Sequence, residues 1–280
     1  FGCEDFVGYF ADTFGHSSGT IPILKEYGIN TAIVWRGCGD IPSEFIWSTD
    51  VGVGVNSVGV NSTEINTINL VRGYFNDIFS MKTDIETKAA ALKHNLDLVA
   101  EKSGDILLMP IGADHLGIEE DIVSQIAEVN SLLSDEYEIL LGTPFDYFNA
   151  VEDRFEDCEF NGELRDNSNT FTLQGCYSSR LDLKRENVET SYILDLANRF
   201  VKQQKVFEYD SLIEYAYKML LQNQAHDSIC GCSTDDVHRE NLIRYKKIKQ
   251  IAQGIIDELK LKNGFDEQKS PLPFGSHHWA

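Results

Sequence analysis

The sequence predicts an α/β protein in which part of a parallel β/α barrel-like domain precedes a three-helix bundle. The first ~150 residues alternate short β-rich runs with amphipathic helical stretches, the pattern of βα units around a parallel sheet. Beyond residue 180 the apolar residues recur at helical spacing in long segments joined by short connections. We therefore predict an α/β domain over 1–158, the bundle over 159–262 and a Pro- and Gly-punctuated linker over 263–280.

The α/β part alternates segments of strand and helix character. Strands are predicted at 6–10, 31–35, 105–110 and 137–141. Helices are predicted at 21–27, 83–102 and 119–133, and at a segment that opens with Thr143-Pro144. Residues 50–63 are rich in Gly, Val, Asn and Ser, which indicates a hairpin or a surface excursion.

The bundle is predicted from apolar stripes at helical spacing. Its helices are expected at 184–204, 210–224 and 234–262. Ser211 and Glu214 have the spacing of a capping box at the start of the second helix. One stripe faces the core of the third helix: Leu242, Tyr245, Ile248, Ala252, Ile255 and Leu259. We assign these stripes to packing and to no chemistry.

The net charge of the chain limits the classes of partner that it can bind. The net charge is −21, from 45 acidic and 24 basic residues. Such a surface repels nucleic acid and anionic membranes, so a neutral or cationic ligand is favoured. No apolar run approaches the roughly 20 residues that span a bilayer. Because the chain starts at Phe1 without a Met, we expect a fragment of a longer protein.

The six cysteines lack the paired spacing of a zinc ribbon. A chain of this length does not need disulfides to hold its core, so a reducing cytoplasm is the simpler interpretation. Cys230-Gly231-Cys232 leaves open a metal or redox pair.

Two aspartates follow predicted strands, and functional side chains of parallel α/β sheets collect at the carboxyl ends of strands. Asp12 lies in ADTFGH after the first strand, and Asp114 lies in GADH after strand 105–110. Each could instead be a helix N-cap. Together at one mouth, they would suit acid–base or nucleophilic catalysis.

Three other features are candidates for a site. His226-Asp227 ends the second bundle helix and could bind a metal or form a surface pair. Arg36 follows the second strand and could contact a ligand or form a surface salt bridge. Trp35, Phe14 and Trp47 could form a sugar-stacking wall or belong to the core.

These features lie in stretches that resemble the catalytic region of glycoside hydrolase family 38, the class II α-mannosidases, and particularly its bacterial branch. The matching stretches are ADTFGHSSGTIPILKEYGI with VWRG, LLMPIGADH, GELR, SSR and NQAHDSICGCS. They span most of residues 8–240, and the first, second and last are specific in combination. PLPF at 271–274 resembles the entry to the family's β-sandwich region.

The resemblance implies residue roles. Asp12 is expected to be the nucleophile and a zinc ligand, His226 a second zinc ligand, and Asp114 the general acid/base. Arg36 and Phe14 are expected to line the subsite of the scissile mannose. Three further residues are assigned to substrate binding on the looser ground of their position near these motifs: Asp227, Trp47 and Asp50.

The resemblance also implies a mechanism and an incomplete set of zinc ligands. Hydrolysis is expected to retain configuration, with the two carboxyl groups about 5–5.5 Å apart. Zn²⁺ is expected to bind mannose hydroxyls and to orient and distort the ring. The family's other ligands, a His and an Asp, come from a motif like His-x-His-x-Asp. Nothing of that kind precedes Phe1, so we expect this piece alone to bind zinc poorly and to be inactive.

Several alternatives stay open at this point. The expected substrate is an α-mannoside oligosaccharide, and mannosylglycerate or its 6-phosphate is the alternative. The motifs place few cations to bind a phosphate: Arg36, Arg165 and Arg180. An inactive carbohydrate-binding fragment is a further alternative. A zinc deacetylase is disfavoured because the first 150 residues lack His-rich loops. A bacterial cytoplasmic location and a homo-oligomer are also expected.

Overall fold

The computed structural model describes residues 6–50 and 62–262 of the chain. The chain divides into two compact units, Phe1–Leu173 and Gln174–Ala280. Residues 51–61, which make up most of the predicted hairpin, and the predicted linker 263–280 lie outside the described residues. The sequence-based boundary after residue 158 precedes a short strand, Glu159–Asn161, that pairs within the sheet of the first unit. This pairing explains why the first unit extends further along the chain.

The first unit combines strands with helices of moderate length. The strands are β1 (Gly8–Phe10), β2 (Thr31–Val34), β3 (Glu44–Thr49), β4 (Thr63–Asn69) and β5 (Glu159–Asn161). The α-helices are α1 (Thr20–Glu26), α2 (Ile85–Ala100), α3 (Ile122–Leu133) and α4 (Pro144–Ala150). Short 3₁₀ helices cover Ile78–Ser80 and Glu152–Asp157. A capping box between Thr143 and Asp146 begins α4.

The strands form one mostly parallel sheet in the order β1-β2-β4-β3-β5. β1, β2 and β4 run parallel to one another. β3 pairs antiparallel with β4, and β5 runs parallel to β3. The carboxyl ends of β1, β2 and β4 therefore meet at one edge of the sheet, here called the carboxyl edge. The carboxyl end of β3 lies at the opposite edge. This architecture confirms the predicted α/β class.

The sequence-based strands are partly wrong. Residues 105–110 and 137–141 form no strand in the structure, and β3, β4 and β5 were not predicted. The apolar side chains of the two irregular segments pack against the core between α2 and α3: Leu107, Met109, Tyr137 and Ile139. These apolar side chains pack against helices and belong to no strand. Periodicity does not distinguish this packing from strand pairing in so short a run.

The sheet is covered on both faces because alternate residues of a strand point to opposite sides. Ala32 and Val34 of β2 pack in a cluster with Ile21 and Leu24 of α1. Ile33, between them, packs on the other face in a second cluster that holds buried residues of α4 and the chain after it: Tyr147, Phe148, Val151 and Phe155. Two-sided burial leaves the edges of the sheet as the places where polar side chains can collect.

The second unit is a helical bundle, as predicted. Its helices are α5 (Leu181–Gln204), α6 (Asp210–Gln224), the single turn α7 (His226–Ile229) and α8 (Asp235–Lys262). Short 3₁₀ helices cover Gln174–Tyr177 and Phe207–Tyr209. The core is supplied by α5, α6 and α8, with fully buried Leu194, Ala216, Tyr245 and Leu259. Within residues 6–50 and 62–262, every helix is too short or too polar to cross a lipid bilayer.

One local prediction in the bundle is wrong. α6 begins at Asp210 after the N-cap residue Tyr209, which makes no side-chain capping bond. Ser211 therefore lies inside the first turn and cannot act as the cap of a box with Glu214. The side chain of Glu214 instead pairs with Lys218 one turn later, at 2.7 Å.

We predict that Leu194→Ala destabilises the bundle by about 2–5 kcal/mol, because the side chain is fully buried and its loss leaves a cavity. Val188→Ala on the same helix is the control, since Val188 is 68% exposed. Urea unfolding followed by circular dichroism measures both. Equal unfolding midpoints for the two variants would contradict the core described above.

Candidate active site

An ion pair joins the loops that follow β1 and β2. Asp12 comes two residues after β1, and Arg36 comes two residues after β2. The Nε and Nη2 atoms of Arg36 both lie 2.5 Å from Oδ1 of Asp12. The side chains are 17% and 20% exposed for Arg36 and Asp12, so the pair is largely shielded from water. The parallel register of the two strands brings these charges to the carboxyl edge together.

The guanidinium of Arg36 is held on other sides as well. Its Cζ atom lies 4.4 Å from the ring centroid of Trp35 and 5.6 Å from that of Phe14. Its Nη1 donates a hydrogen bond of 3.0 Å to the carbonyl of Phe171. Cation–π contacts and a backbone acceptor together fix the orientation of the planar group. Arg36 therefore presents a rigid partner to Asp12.

Asp114 reaches the same edge although no strand precedes it. The backbones of Asn76 and Gly112 exchange two hydrogen bonds, of 2.7 and 2.9 Å. The side-chain amide of Asn76 also donates to the carbonyl of Pro110 at 2.8 Å. Asn76 lies in the loop after β4, so this anchoring ties the Asp114 segment to the carboxyl end of a parallel strand. Asp114 therefore lies at the predicted end of the sheet, although the strand that was predicted to precede it is absent.

Tyr74 links the two aspartates, and sequence reasoning missed it. Its hydroxyl donates a hydrogen bond of 2.8 Å to Oδ2 of Asp114. The pKa of Tyr74 is raised by burial, by the bond to Asp114 and by the charge and a hydrogen bond of Asp12. Both carboxylates therefore act on one phenol. Tyr74 follows β4 by five residues, and predicting β4 would have been the signal for it.

Residues 162–166, here called the strap, form backbone hydrogen bonds with the loops that follow β1 and β2. His16 and Leu164 exchange backbone hydrogen bonds of 2.9 and 3.0 Å, and the amide of Asp166 donates to the carbonyl of Gly37 at 3.0 Å. A Cβ atom on Gly37 would lie 2.3 Å from the carbonyl oxygen of Leu164, and its φ is +90°. Only glycine fits there, and this close approach fixes the loop that carries Arg36.

His16 is a buried residue of this edge with a structural role. It is 4% exposed, and its ring makes edge contacts with Phe10 and Trp47. Burial lowers the pKa of His16 to about 4, against an opposing hydrogen bond to the Arg36 backbone and with a small contribution from the charge of Arg165. The imidazole is therefore neutral near pH 7.

Two of the predicted substrate residues do not fit the carboxyl edge. Trp47 is fully buried, and its indole N–H donates to the carbonyl of Gly162 at 2.8 Å, so it belongs to the core and cannot form a sugar-stacking wall. Asp50 follows β3, which runs antiparallel to β4. It therefore lies at the opposite edge of the sheet, where its Oδ1 accepts from Asn161 at 3.3 Å. Phe14, in contrast, lies beside Arg36.

A cavity of about 510 Å³ opens elsewhere in the first unit. Its lining combines loop residues after β2 with β5 and the strap: Gly37, Cys38, Asp40, Ile41, Pro42, Cys158, Phe160, Glu163, Arg165 and Asp166. Neither Asp12 nor Asp114 lines it. We therefore assign the candidate chemistry to the carboxyl edge and not to this cavity.

In the second unit, His226 and Asp227 form the first half of the single turn α7. Nε2 of His226 lies 3.6 Å from Oδ1 of Asp227, and their side chains are 43% and 76% exposed. The backbone of the turn is well fixed, because the carbonyl of His226 accepts from the amide of Cys230 at 3.1 Å. Ser233 Oγ donates to the carbonyl of Asp227.

Comparison with known families accounts for both units. Residues 1–173 match the N-terminal domain of glycosyl hydrolases family 38, and residues 172–260 match the α-mannosidase middle domain. The chain belongs to glycoside hydrolase family 38. The two matches meet where the contacts of the structure divide.

Individual relatives within family 38 agree with this membership. A protein of Halalkalibacterium halodurans, provisionally named mannosylglycerate hydrolase, is 28% identical in an alignment of 275 positions that covers 90% of this chain and 29% of the relative. The structure of an α-mannosidase from Enterococcus faecalis is similar with a TM-score of 0.75 at 29% identity, covering 92% of this chain and 30% of the other. A second family 38 protein of E. faecalis gives 0.66 at 26% identity, with 95% and 29% coverage. The chain thus spans under a third of the length of these relatives.

The described residues do not by themselves make up a zinc site. A structural or catalytic zinc needs three or four protein ligands. Across residues 6–50 and 62–262, no three His, Cys, Asp or Glu side chains are grouped so that they could hold a metal ion. Asp12 and His226 are two candidate donors, one in each unit.

We predict that His16 makes the stability of the first unit fall as the pH is lowered from about 6.5 to about 4. Its pKa is about 4 in the folded protein and near 6.5 when unfolded, so the unfolded chain takes up a proton in this interval that the folded chain does not. The contribution amounts to at most about 1.4 kcal/mol per pH unit.

The measurement is the free energy of unfolding by urea at several pH values between about 4 and 7. His16→Gln should give a shallower dependence on pH than the unsubstituted chain. His94→Gln, at an exposed position, is the control and should leave the slope unchanged. An equal slope in the His16 variant would show that the imidazole titrates alike in both states.

Proposed function

We propose that this chain carries the catalytic carboxylates of a retaining α-mannoside hydrolase of family 38. One observation carries the proposal: Asp12 and Asp114, from distant parts of the sequence, lie at the same carboxyl edge, where Tyr74 donates a hydrogen bond to Asp114. Paired carboxyl groups at one mouth are the machinery of glycoside hydrolysis. Membership of family 38 supplies the reaction class.

Asp12 is the proposed nucleophile. Arg36 holds its Oδ1 with two N–H groups, which fixes the carboxylate for attack on the anomeric carbon of the sugar. The attack forms a covalent glycosyl-enzyme as the bond to the leaving oxygen breaks. The rings of Phe14 and Trp35 lie within cation–π range of the guanidinium and restrain its orientation.

Asp114 is the proposed general acid and base. Its side chain is exposed, so a leaving group and later a water molecule can approach it. In the first step it gives a proton to the leaving oxygen, and in the second it takes a proton from the water that releases the sugar. The Tyr74 hydroxyl, bonded to Oδ2, orients the carboxyl group between these steps.

The proposed substrate is an α-linked mannose of an oligosaccharide. A net charge of −21 favours an uncharged ligand over an anionic one. At the carboxyl edge the guanidinium of Arg36 is already bound to Asp12, so it does not offer a separate anion site. Mannosylglycerate is the second candidate, favoured by the name of the H. halodurans relative. The bacterial cytoplasmic location and the homo-oligomer stay predictions from the sequence.

We further propose Zn²⁺ as the cofactor, with Asp12 and His226 as two of its ligands. The support is the position of these two residues in the family motifs, ADTFGH and NQAHDS. The site would need further donors beyond these two, in keeping with the three or four protein ligands of zinc sites.

We predict that Asp12→Asn in the intact protein lowers kcat for an aryl α-mannoside by at least about 10³-fold, because no nucleophile remains. Asp50→Asn is the matched control: it makes the same change at the opposite edge of the sheet and should leave kcat unchanged. Proton NMR of the first product tests retention. Full activity of the Asp12 variant, or an inverted product, would refute the assignment.

The same assay tests the role of Asp114. Asp114→Asn should strongly slow the hydrolysis of mannosides with poor leaving groups. It should spare the first step for activated aryl mannosides, because their leaving groups need little protonation.

Comparing kcat/KM for an α-mannobiose with that for mannosylglycerate decides between the two candidate substrates. A preference for mannosylglycerate would replace the oligosaccharide proposal and keep the carboxylate roles.

We predict that the intact protein binds about one zinc ion per chain and that His226→Ala reduces this content severalfold. His94→Ala, at an exposed position on α2, is the control and should retain the metal. Elemental analysis after dialysis measures both. Equal zinc content in the two variants would exclude His226 as a ligand.

A further inference from the structure

Two thiols lie almost in contact at the end of α7. Sγ of Cys230 is 3.1 Å from Sγ of Cys232. A disulfide bond is about 2.05 Å long, so the sulfur atoms need to approach by only about 1 Å to bond. This distance makes the pair a preformed dithiol, which the Cys-Gly-Cys spacing alone left open.

The backbone of the turn sets the two thiols side by side. Gly231, between them, has a φ of +80°, and a Cβ atom there would lie 3.2 Å from Cβ of Arg180. Lys184 donates from Nζ to the carbonyl of Cys230 at 2.9 Å and to that of Ser179 at 2.6 Å. Side chains of α5 and its N-cap thus hold the turn, and the sulfur atoms are not needed to keep its shape.

The thiols differ in access to solvent. Cys232 is exposed, whereas Cys230 is 7% exposed. An attacking reagent therefore meets Cys232 first, and Cys230 lies behind it at bonding range. Cys176 belongs to the same unit, in the 3₁₀ helix Gln174–Tyr177. It is the competing partner that an experiment must separate.

We propose that Cys230 and Cys232 are a redox-active pair that low-molecular-weight disulfides convert reversibly to an intrachain disulfide. The hydrogen bond with Cys230 and burial raise the pKa of Cys232, so its thiol first loses a proton to solvent. The resulting thiolate attacks the small disulfide, forming a mixed disulfide and expelling one small thiol. Cys230 then attacks the Cys232 sulfur, closing the protein disulfide and expelling the second small thiol. The protein loses two electrons and two protons, and the small disulfide takes them up. The proposal does not depend on the hydrolase activity.

The test treats the folded full chain with glutathione disulfide, blocks remaining thiols and digests with trypsin without reduction. Cys230 and Cys232 fall in one tryptic peptide, 219–239, and Cys176 falls in another, 166–180. The expected product is peptide 219–239 lighter by two hydrogen atoms and restored by dithiothreitol. A cross-linked pair of the two peptides, or an unmodified peptide 219–239, would overturn the proposal.

Single variants assign the order of attack. Cys230→Ser should leave a stable glutathione adduct on Cys232, because no second thiol resolves it. Cys232→Ser should slow modification of this peptide by about tenfold or more, since the buried thiol is left alone. Cys38→Ser, a buried position in the first unit, is the control and should react like the unsubstituted chain. Equal rates for all three variants would count against a cooperating pair.

Discussion

The ion pair between Arg36 and Asp12 is the contact on which the carboxyl edge is built. It joins the loops after two neighbouring parallel strands, and each partner depends on the other for its orientation. Burying a charge is costly unless it is paired and hydrogen-bonded, so neither side chain could occupy this position alone. Trp35 and Phe14 add aromatic faces to the guanidinium, which keeps the pair in one geometry. For Asp12 as the proposed nucleophile, this restraint would hold the carboxylate in the direction needed for attack on carbon.

The carboxylate of Asp114 is held by hydrogen bonds of an irregular segment and not by an ion pair. Asp114 lies in an irregular segment, and its position depends on the hydrogen bonds between Asn76 and the 110–112 backbone. The first carboxylate is fixed by sheet and charge, and the second by loop anchoring and the Tyr74 hydroxyl. This contrast fits a division of labour in which one group must hold its direction and the other must serve two successive proton transfers.

Sequence reasoning predicted the helices well and the sheet only in part. The bundle helices were found because their apolar stripes repeat over many turns, as in α8, and so leave little ambiguity. Strands of three to seven residues carry too few positions for the same test. The motifs predicted that Asp12, Arg36 and Asp114 follow strands at one end of the sheet, and the structure brings all three to the carboxyl edge. Asp50 was misplaced because the reversal of β3 depends on pairing between segments, which no local pattern encodes. Trp47 was misassigned because burial of an aromatic residue depends on the same pairing.

The strap has a consequence for the order in which this molecule acquires its shape on the ribosome. Its partners at His16 and Gly37 are synthesised roughly 130 to 150 residues earlier, since chains emerge from the amino end. Until residues 162–166 leave the exit tunnel, the loops carrying Asp12 and Arg36 lack the backbone neighbours that fix them. The carboxyl edge is therefore completed by backbone contacts between residues far apart along the chain, a kind of contact that forms slowly during folding.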